Sequence, residues 1–348
     1  MAAMRSLLLP LAPLLLGSAT AWEAVNDRPI IGILTEPWHD PRLGAAQPTY
    51  NRTYMAASYV KFVESAGGRA VPLHFDAPDE ELRALFGQIN GLVLPGGGVN
   101  VLDEPGNRFF AAGKLLFDLA LEANTRGDPF PVFGICLGFQ LLSVIVARKN
   151  GVLCENCFKT EGTPLPLKLT PGAPDSRLFA GMPAALRAAL TTQNITENSH
   201  VSGVTPETYA SDTNLRSFFE VLSTNTDPVT GRDFVSTVEA RRFPIAATQW
   251  HPEKNLFEWA RIGKLGFEAI PHSVDAVHLS QHLANTFVEA ARLSSHRFAS
   301  EAAESGALMY NYSPVPDPNG YFAQLYFWDR SGRAPPARAR GGAWAPEP

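Results

Sequence analysis

Several short runs in this chain are apolar along nearly their whole length: Pro29-Ile30-Ile31-Gly32-Ile33-Leu34, Ala70-Val71-Pro72-Leu73, Gly91-Leu92-Val93-Leu94, Pro131-Val132-Phe133-Gly134-Ile135 and Pro244-Ile245-Ala246-Ala247. A strand with one wet face alternates apolar and polar residues, whereas one that is apolar throughout is covered on both faces. Helical patterns lie between these runs. Tyr54 to Ala66 is one, stopped by Gly67-Gly68; Asp79 to Phe86, with an acidic first turn, is a second; Phe109 to Thr125 is a third. Val274 to Arg292 reads as a long helix near the C-terminus. Buried strands alternating with helices predict an α/β fold: a doubly wound, mostly parallel sheet with helices on both faces. The polar segment before Thr53 reads as loop. Between Gly151 and Glu239 the pattern loosens, and Leu165–Leu169, Phe219–Thr224 and Phe234–Val238 read as short antiparallel strands. Pro72 suits the strand that holds it to a sheet edge.

Sheets of this kind bind ligands beyond the C-terminal ends of their strands. Cys136 stands there, between the run ending at Ile135 and the apolar segment Leu137-Gly138-Phe139-Gln140-Leu141-Leu142. The spacing predicts strand, sharp turn and helix, with the sulfur at the corner beside free helix N–H groups and the positive end of the helix dipole. Gly134 and Gly138 allow the close backbone approach that such an elbow needs. Free cysteines are also common as inert core residues, so the elbow acquires meaning only with a base nearby. Pro95-Gly96-Gly97-Gly98 leaves the strand ending at Leu94 at the same edge. It has no lysine and is too short for a nucleotide P-loop. It reads either as a tight turn or as a source of N–H groups, from Gly97 or Gly98, which with the Leu137 N–H would receive an oxyanion.

The base is legible further on. His251-Pro252-Glu253 leaves the last apolar run as Cys136 leaves its own. The proline stiffens the turn, so that Glu253 accepts a hydrogen bond from the imidazole and the other ring nitrogen faces Cys136. Cysteine, histidine and acid on neighbouring strand ends make a nucleophilic set: Cys136 the nucleophile, His251 the general base and acid, Glu253 its orienting carboxylate.

The remaining features bound the context. Arg5, the apolar run Leu7 to Leu16 and the small residues ending in Ala19-Thr20-Ala21 have the form of a secretory signal peptide over residues 1–21. The run is too short and too broken by proline to span a bilayer, and no later stretch is long enough, so no membrane span is expected. Asn51, Asn194 and Asn311 stand in glycosylation sequons, the last weakened by Pro314. Residues 22–328 are expected to form one catalytic domain, and the Arg/Pro/Gly/Ala-rich residues 329–348 a disordered tail. A net charge of −5 leaves no electrostatic footprint for nucleic acid. The eight histidines are scattered and Cys154-Glu155-Asn156-Cys157 is a lone Cys-x-x-Cys, so neither metal nor other cofactor is expected. That pair forms a local disulfide or stays as two thiols.

The motif Gly134-x-Cys136-x-Gly138-x-Gln140, with Trp250-His251-Pro252-Glu253 downstream, resembles the class I glutamine amidotransferase superfamily. Within it, Ala56-Ala57-Ser58-Tyr59-Val60-Lys61, Glu64-Ser65-Ala66-Gly67, Pro95-Gly96-Gly97, Thr224-Asn225-Thr226-Asp227 and Gln249-Trp250-His251-Pro252-Glu253-Lys254 resemble the gamma-glutamyl hydrolases, over about Pro29 to Pro314. Gln140 stands where some members carry glutamate. The resemblance implies a flavodoxin-like sheet, hydrolysis of the γ-glutamyl bonds of folyl and antifolate poly-γ-glutamates through a Cys136 thioester, a homodimer, and residence in lysosomes or outside the cell. It places a second histidine, His200, near the substrate. Lys254 and Arg69 are cationic candidates for a polyanionic substrate. The alternative is a related amidohydrolase acting on glutamine or small γ-glutamyl compounds.

Overall fold

The computed structural model describes residues 26–38, 52–259, 269–317 and 319–329, together with two short strands at 261–262 and 266–267. The expected leader at 1–21, the sequon residue Asn51 and, beyond Asp329, the expected tail lie outside the described residues. In chain order the first half runs β1 (Ile30–Leu34), β2 (Glu36–Trp38), β3 (Arg52–Ala56), α1 (Ala57–Ser65), β4 (Arg69–Leu73), α2 (Asp79–Phe86), β5 (Gly91–Leu94), α3 (Arg108–Thr125), β6 (Val132–Ile135) and α4 (Leu137–Ala147). The second half continues with β7 (Lys168–Leu169), α5 (Ala184–Thr192), α6 (Pro206–Ser211), α7 (Thr213–Phe218), β8 (Phe219–Thr226), β9 (Asp233–Ala240), β10 (Ile245–Thr248) and α8 (Lys254–Phe257). It ends with β11 (Arg261–Ile262), β12 (Gly266–Phe267), α9 (Val274–Ala291), α10 (Glu301–Ala307), β13 (Val315–Pro316) and β14 (Gln324–Asp329).

Eight strands form the main sheet in the order β4-β1-β5-β6-β10-β9-β8-β7. The pairs from β4 through β10 are parallel, while β9, β8 and β7 extend the sheet antiparallel. Alternate residues of each parallel strand serve opposite cores. Ile30, Leu34, Leu92, Leu94 and Val132 pack with side chains of α2, α3 and α4. Ile31, Ile33, Val93, Phe133 and Ile135 pack with α1 and α9. Each fully buried Leu, Ile or Phe contributes about 1.5–3 kcal/mol relative to exposure, which is why the middles of these strands are apolar on both faces. The expected doubly wound α/β architecture is the one observed. β4, with its proline, lies at the edge.

Three expectations are corrected. The segment read as loop before Thr53 contains β2, and the first helix begins at Ala57 rather than Tyr54. Tyr54 to Ala56 instead extend β3, which pairs antiparallel with β2 on one side and β14 on the other. The order β13-β14-β3-β2 makes a second, antiparallel sheet. The helical spacing was real, but Leu325 to Trp328 supply strand partners from the far end of the chain, and pairing overrides local pattern. Leu165–Leu169 also shortens to β7. Pro164 and Pro166 lack N–H groups for a ladder, and Leu165 is left in an isolated bridge with Thr196. Cys154 and Cys157 are joined in a disulfide, their Cα atoms 5.6 Å apart. No helix among the described residues is long and apolar enough to cross a membrane.

Candidate active site

β6 delivers Cys136 to the C-terminal edge of the sheet, and α4 starts at the next residue. Cys136 has φ 50° and ψ −99°, a left-handed backbone that a side chain adopts at a cost of about 1–3 kcal/mol. The turn is pinned on both sides: the Cys136 N–H donates to Thr248 O at 2.7 Å, and Cys136 O accepts from the Gln140 N–H at 3.1 Å. Gly138 lies so close to the Leu94 carbonyl that a Cβ there would overlap it, which explains the glycine in the motif. The Cys136 side chain makes no capping bond to α4, so its sulfur is not spent on the helix. It is 4% exposed. The Leu137 N–H heads α4, where no intrahelical acceptor exists.

β10 runs parallel to β6 with Thr248 opposite Ile135, so the two strand exits are adjacent. His251 leaves β10, fixed by donation of its backbone N–H to Glu197 O at 2.8 Å. Its ring is buried and hydrogen-bonded to Cys136. On the other side Nδ1 donates to Glu253 Oε1 at 2.7 Å, and Glu253 is completely buried. Burial alone would pull the imidazole pKa down, but the charges of Glu253 and Cys136 outweigh it and raise it to about 10. The three predicted residues thus come together in one hydrogen-bonded chain. A second chain approaches the sulfur from behind. Gln140 Nε2 donates to Ser202 O at 2.8 Å and Gln249 Oε1 at 3.3 Å, and Gln249 Nε2 points at Cys136 Sγ at 3.6 Å. The position noted for lacking a glutamate therefore holds an amide that orients another amide.

The glycine turn after β5 closes the site. Gly96 packs on Cys136 and His251, where a Cβ would lie 3.0 Å from Cys136 Cβ and 2.8 Å from His251 Cε1. Its N–H donates to the Tyr59 hydroxyl at 2.8 Å. Gly97 backs onto the carboxyl of Glu36, which would overlap any Cβ. Gly98 is exposed, and its N–H bonds to Glu36. Of the two glycines expected to offer an N–H to an oxyanion, Gly98 therefore has its donor engaged with Glu36, which leaves Gly97 as the candidate. We expect Gly97→Ala to cost about 1–3 kcal/mol of stability together with most of the activity, by forcing Glu36 and the turn apart. Gly98→Ala, which meets no atom within 4 Å, should stay within about 0.5 kcal/mol of the parent. Urea unfolding of the two variants side by side checks the contrast.

His200 lies on the segment facing this edge, buried between Phe158 and Phe234. Its Nδ1 donates to Ser202 O at 3.1 Å, which leaves Nε2 as a buried acceptor with no hydrogen-bond partner among the described residues. Burial and the neighbouring charge of His251 push its pKa down to about 3, so it stays neutral. Lys254, the first residue of α8, is buried close enough to His251 for its charge to be felt there. Arg69 is elsewhere. It opens β4 at the opposite end of the strands and pairs with Glu304 and Arg28 O. Among the described residues no cluster of His, Cys, Asp and Glu is disposed to hold a metal ion. Of the described sequons, Asn194 is exposed, whereas the Asn311 amide donates to Ser305, Gly306 and Leu308 carbonyls and caps α10.

Sequence reasoning overlooked Glu36, Tyr59 and Gln249. The only signal for Glu36 was an acid directly beyond an apolar strand, at the edge where ligands bind.

The sequence matches the Peptidase C26 family over residues 29–155. Gamma-glutamyl hydrolase of Mus musculus is 38% identical over 314 residues, covering 90% of this chain and 93% of the mouse protein. Gamma-glutamyl hydrolase 1 of Arabidopsis thaliana is 40% identical, covering 84% of this chain and 79% of its own. The Homo sapiens gamma-glutamyl hydrolase is 36% identical, covering 87% and 90%.

Proposed function

The chain belongs to the gamma-glutamyl hydrolase family, and from that membership we propose that it hydrolyses the γ-glutamyl bonds of folyl poly-γ-glutamates with Cys136 as nucleophile. The observation that carries the reading is the continuous chain Cys136–His251–Glu253 at the corner of a strained elbow. The Cys136 thiolate attacks the γ-carbonyl carbon and forms a C–S bond. The oxyanion takes N–H donors from Leu137 and Gly97. Imidazolium His251 gives its proton to the leaving amine of the next glutamate as the C–N bond breaks, leaving a thioester. Neutral His251 then takes a proton from water; the hydroxyl adds to the thioester, and Cys136 leaves as thiolate. Glu253 holds the ring tautomer throughout and supports the imidazolium charge. His200 Nε2, a neutral acceptor in an apolar surround, suits an N–H of the bound substrate.

Entry into the secretory pathway, and residence in lysosomes or outside the cell, is supported by the leader-like residues 1–21, the Cys154–Cys157 disulfide and the exposed Asn194 sequon. A homodimer is supported by the family resemblance and is checked by sedimentation. The function is tested by incubating the mature protein with pteroylpolyglutamate, glutamine and a small γ-glutamyl amide in parallel. Shortening of the folate tail at a rate well above ammonia release from glutamine is the expected result. Preferential release of ammonia would move the assignment to a glutaminase.

A further inference from the structure

Glu36 has no role in the reaction just described, yet its carboxyl is buried at the reacting edge. It begins β2, two residues past the end of β1, and is 3% exposed. In the second sheet it pairs with Tyr54, whose hydroxyl donates to Glu36 Oε2 at 3.4 Å. Its other donor is the Gly98 N–H. Among the described residues neither partner is a cation. The carboxyl also fills the space where a Gly97 side chain would be. The glycine turn is thereby clamped from two sides: Tyr59 holds Gly96, and Glu36 holds Gly97 and Gly98.

The geometry points to Glu36 as a positioning residue that holds the Gly98 N–H and packs against the Gly97 Cα, so that the preceding Gly96–Gly97 peptide keeps the Gly97 N–H toward the oxyanion formed on Cys136. This rests on the reading of Cys136 as nucleophile. The clamp works in its neutral form. Burial raises the carboxyl pKa to about 8, against the opposing pull of its bonds from Tyr54 and Gly98. As a carboxylic acid it holds the turn without adding charge. As a carboxylate it would set a negative charge behind the donors that must stabilise a negative oxygen. The groups facing it do not supply a competing switch of their own in that range. Tyr54 on β3 and Tyr59 on α1 are both held well above the usual phenol range, by burial first and then by neighbouring carboxylates. Asp317, from the segment between β13 and β14, faces Tyr54, while Cys136 and Glu253 face Tyr59. His251 also titrates, so the test is a comparison of variants rather than one profile.

Full-length protein is assayed on pteroyltriglutamate across pH 4.5 to 9.5 (an assay range of about five units) for the parent, Glu36→Gln and Glu36→Ala, with Cys136→Ala as blank. Gln keeps the shape and stays neutral. We expect Glu36→Gln to hold kcat within about threefold of the parent at acidic pH and to exceed it on the alkaline side, its falling limb displaced upward by about one pH unit. Glu36→Ala should lose about 10- to 100-fold in kcat with little change in KM, since the loss falls on the transition state. Superposable profiles for the parent and Glu36→Gln would overturn the assignment. Equal losses in Gln and Ala without a displaced limb would overturn it too, as the mark of a merely structural carboxyl. An active Cys136→Ala blank would instead sink the nucleophile reading, so the two failures are distinguishable.

Discussion

Cys136→Ala should lower kcat/KM on a poly-γ-glutamate by about 10⁴-fold or more, because it removes the free thiol on which the covalent intermediate would form. The variant keeps the turn. The Cys136 backbone bonds to Thr248 and Gln140 involve no sulfur, and the strained φ is already accommodated by the closeness of Gly138 to Leu94. Its unfolding free energy should therefore stay within about 1 kcal/mol of the parent. Loss of activity without loss of stability separates a chemical role from a packing role. A thiol-directed γ-glutamyl electrophile should label the parent at this one free cysteine, while Cys154 and Cys157 are closed in their disulfide. Substantial turnover by the alanine variant would rule out the thioester route.

Glu253→Gln should cost about 10²- to 10⁴-fold in kcat, with KM little changed. An amide in place of the completely buried carboxylate removes the charge that opposes the burial of His251, and it can present an N–H to Nδ1, which selects the wrong tautomer. The same variant carries a stability signature with a definite sign. In the folded protein His251 titrates near 10, above its ordinary 6.5. A raised pKa of this kind stabilises the fold fully below pH 6.5, and the contribution is lost as pH rises toward 10. The stability gap between the parent and Glu253→Gln should accordingly be wider at pH 6 than at pH 10. Urea midpoints at the two pH values measure it; a gap that widens toward alkaline pH would contradict the ion pair.

Much of the site was legible because its signals are local. Gly134, Cys136 and Gly138 are spaced for an elbow, and the elbow is there because each neighbour's backbone approaches too closely for a side chain. His251-Pro252-Glu253 packs base and orienting acid into one turn, so their 2.7 Å contact needed no knowledge of the rest of the chain. The strands β1, β5, β6 and β10 were equally clear, since burial on both faces leaves a continuous apolar run. What stayed hidden depends on distant pairing. Nothing near Tyr54 announces that Gln324 to Asp329 will lie beside it. Without that partner, Tyr54 to Ala56 read as the start of a helix. Glu36 was invisible for the same reason, because its carboxyl becomes part of the site only through Tyr54 across the ladder and Gly98 across the cleft. The state of Cys154 and Cys157 was open because four residues of sequence permit either outcome.

The pairing of β14 with β3 has a consequence for when this protein becomes competent. The strands that carry Glu36 and Tyr54 come before Cys136, His251 and Glu253 in the chain, yet β3 stays unpaired on one side until residues 324–329 emerge. Cys136, His251 and Glu253 are all synthesised well before that. The nascent chain thus holds its reactive groups before it holds the surface that frames them, and β14 is the stitch that completes the cleft.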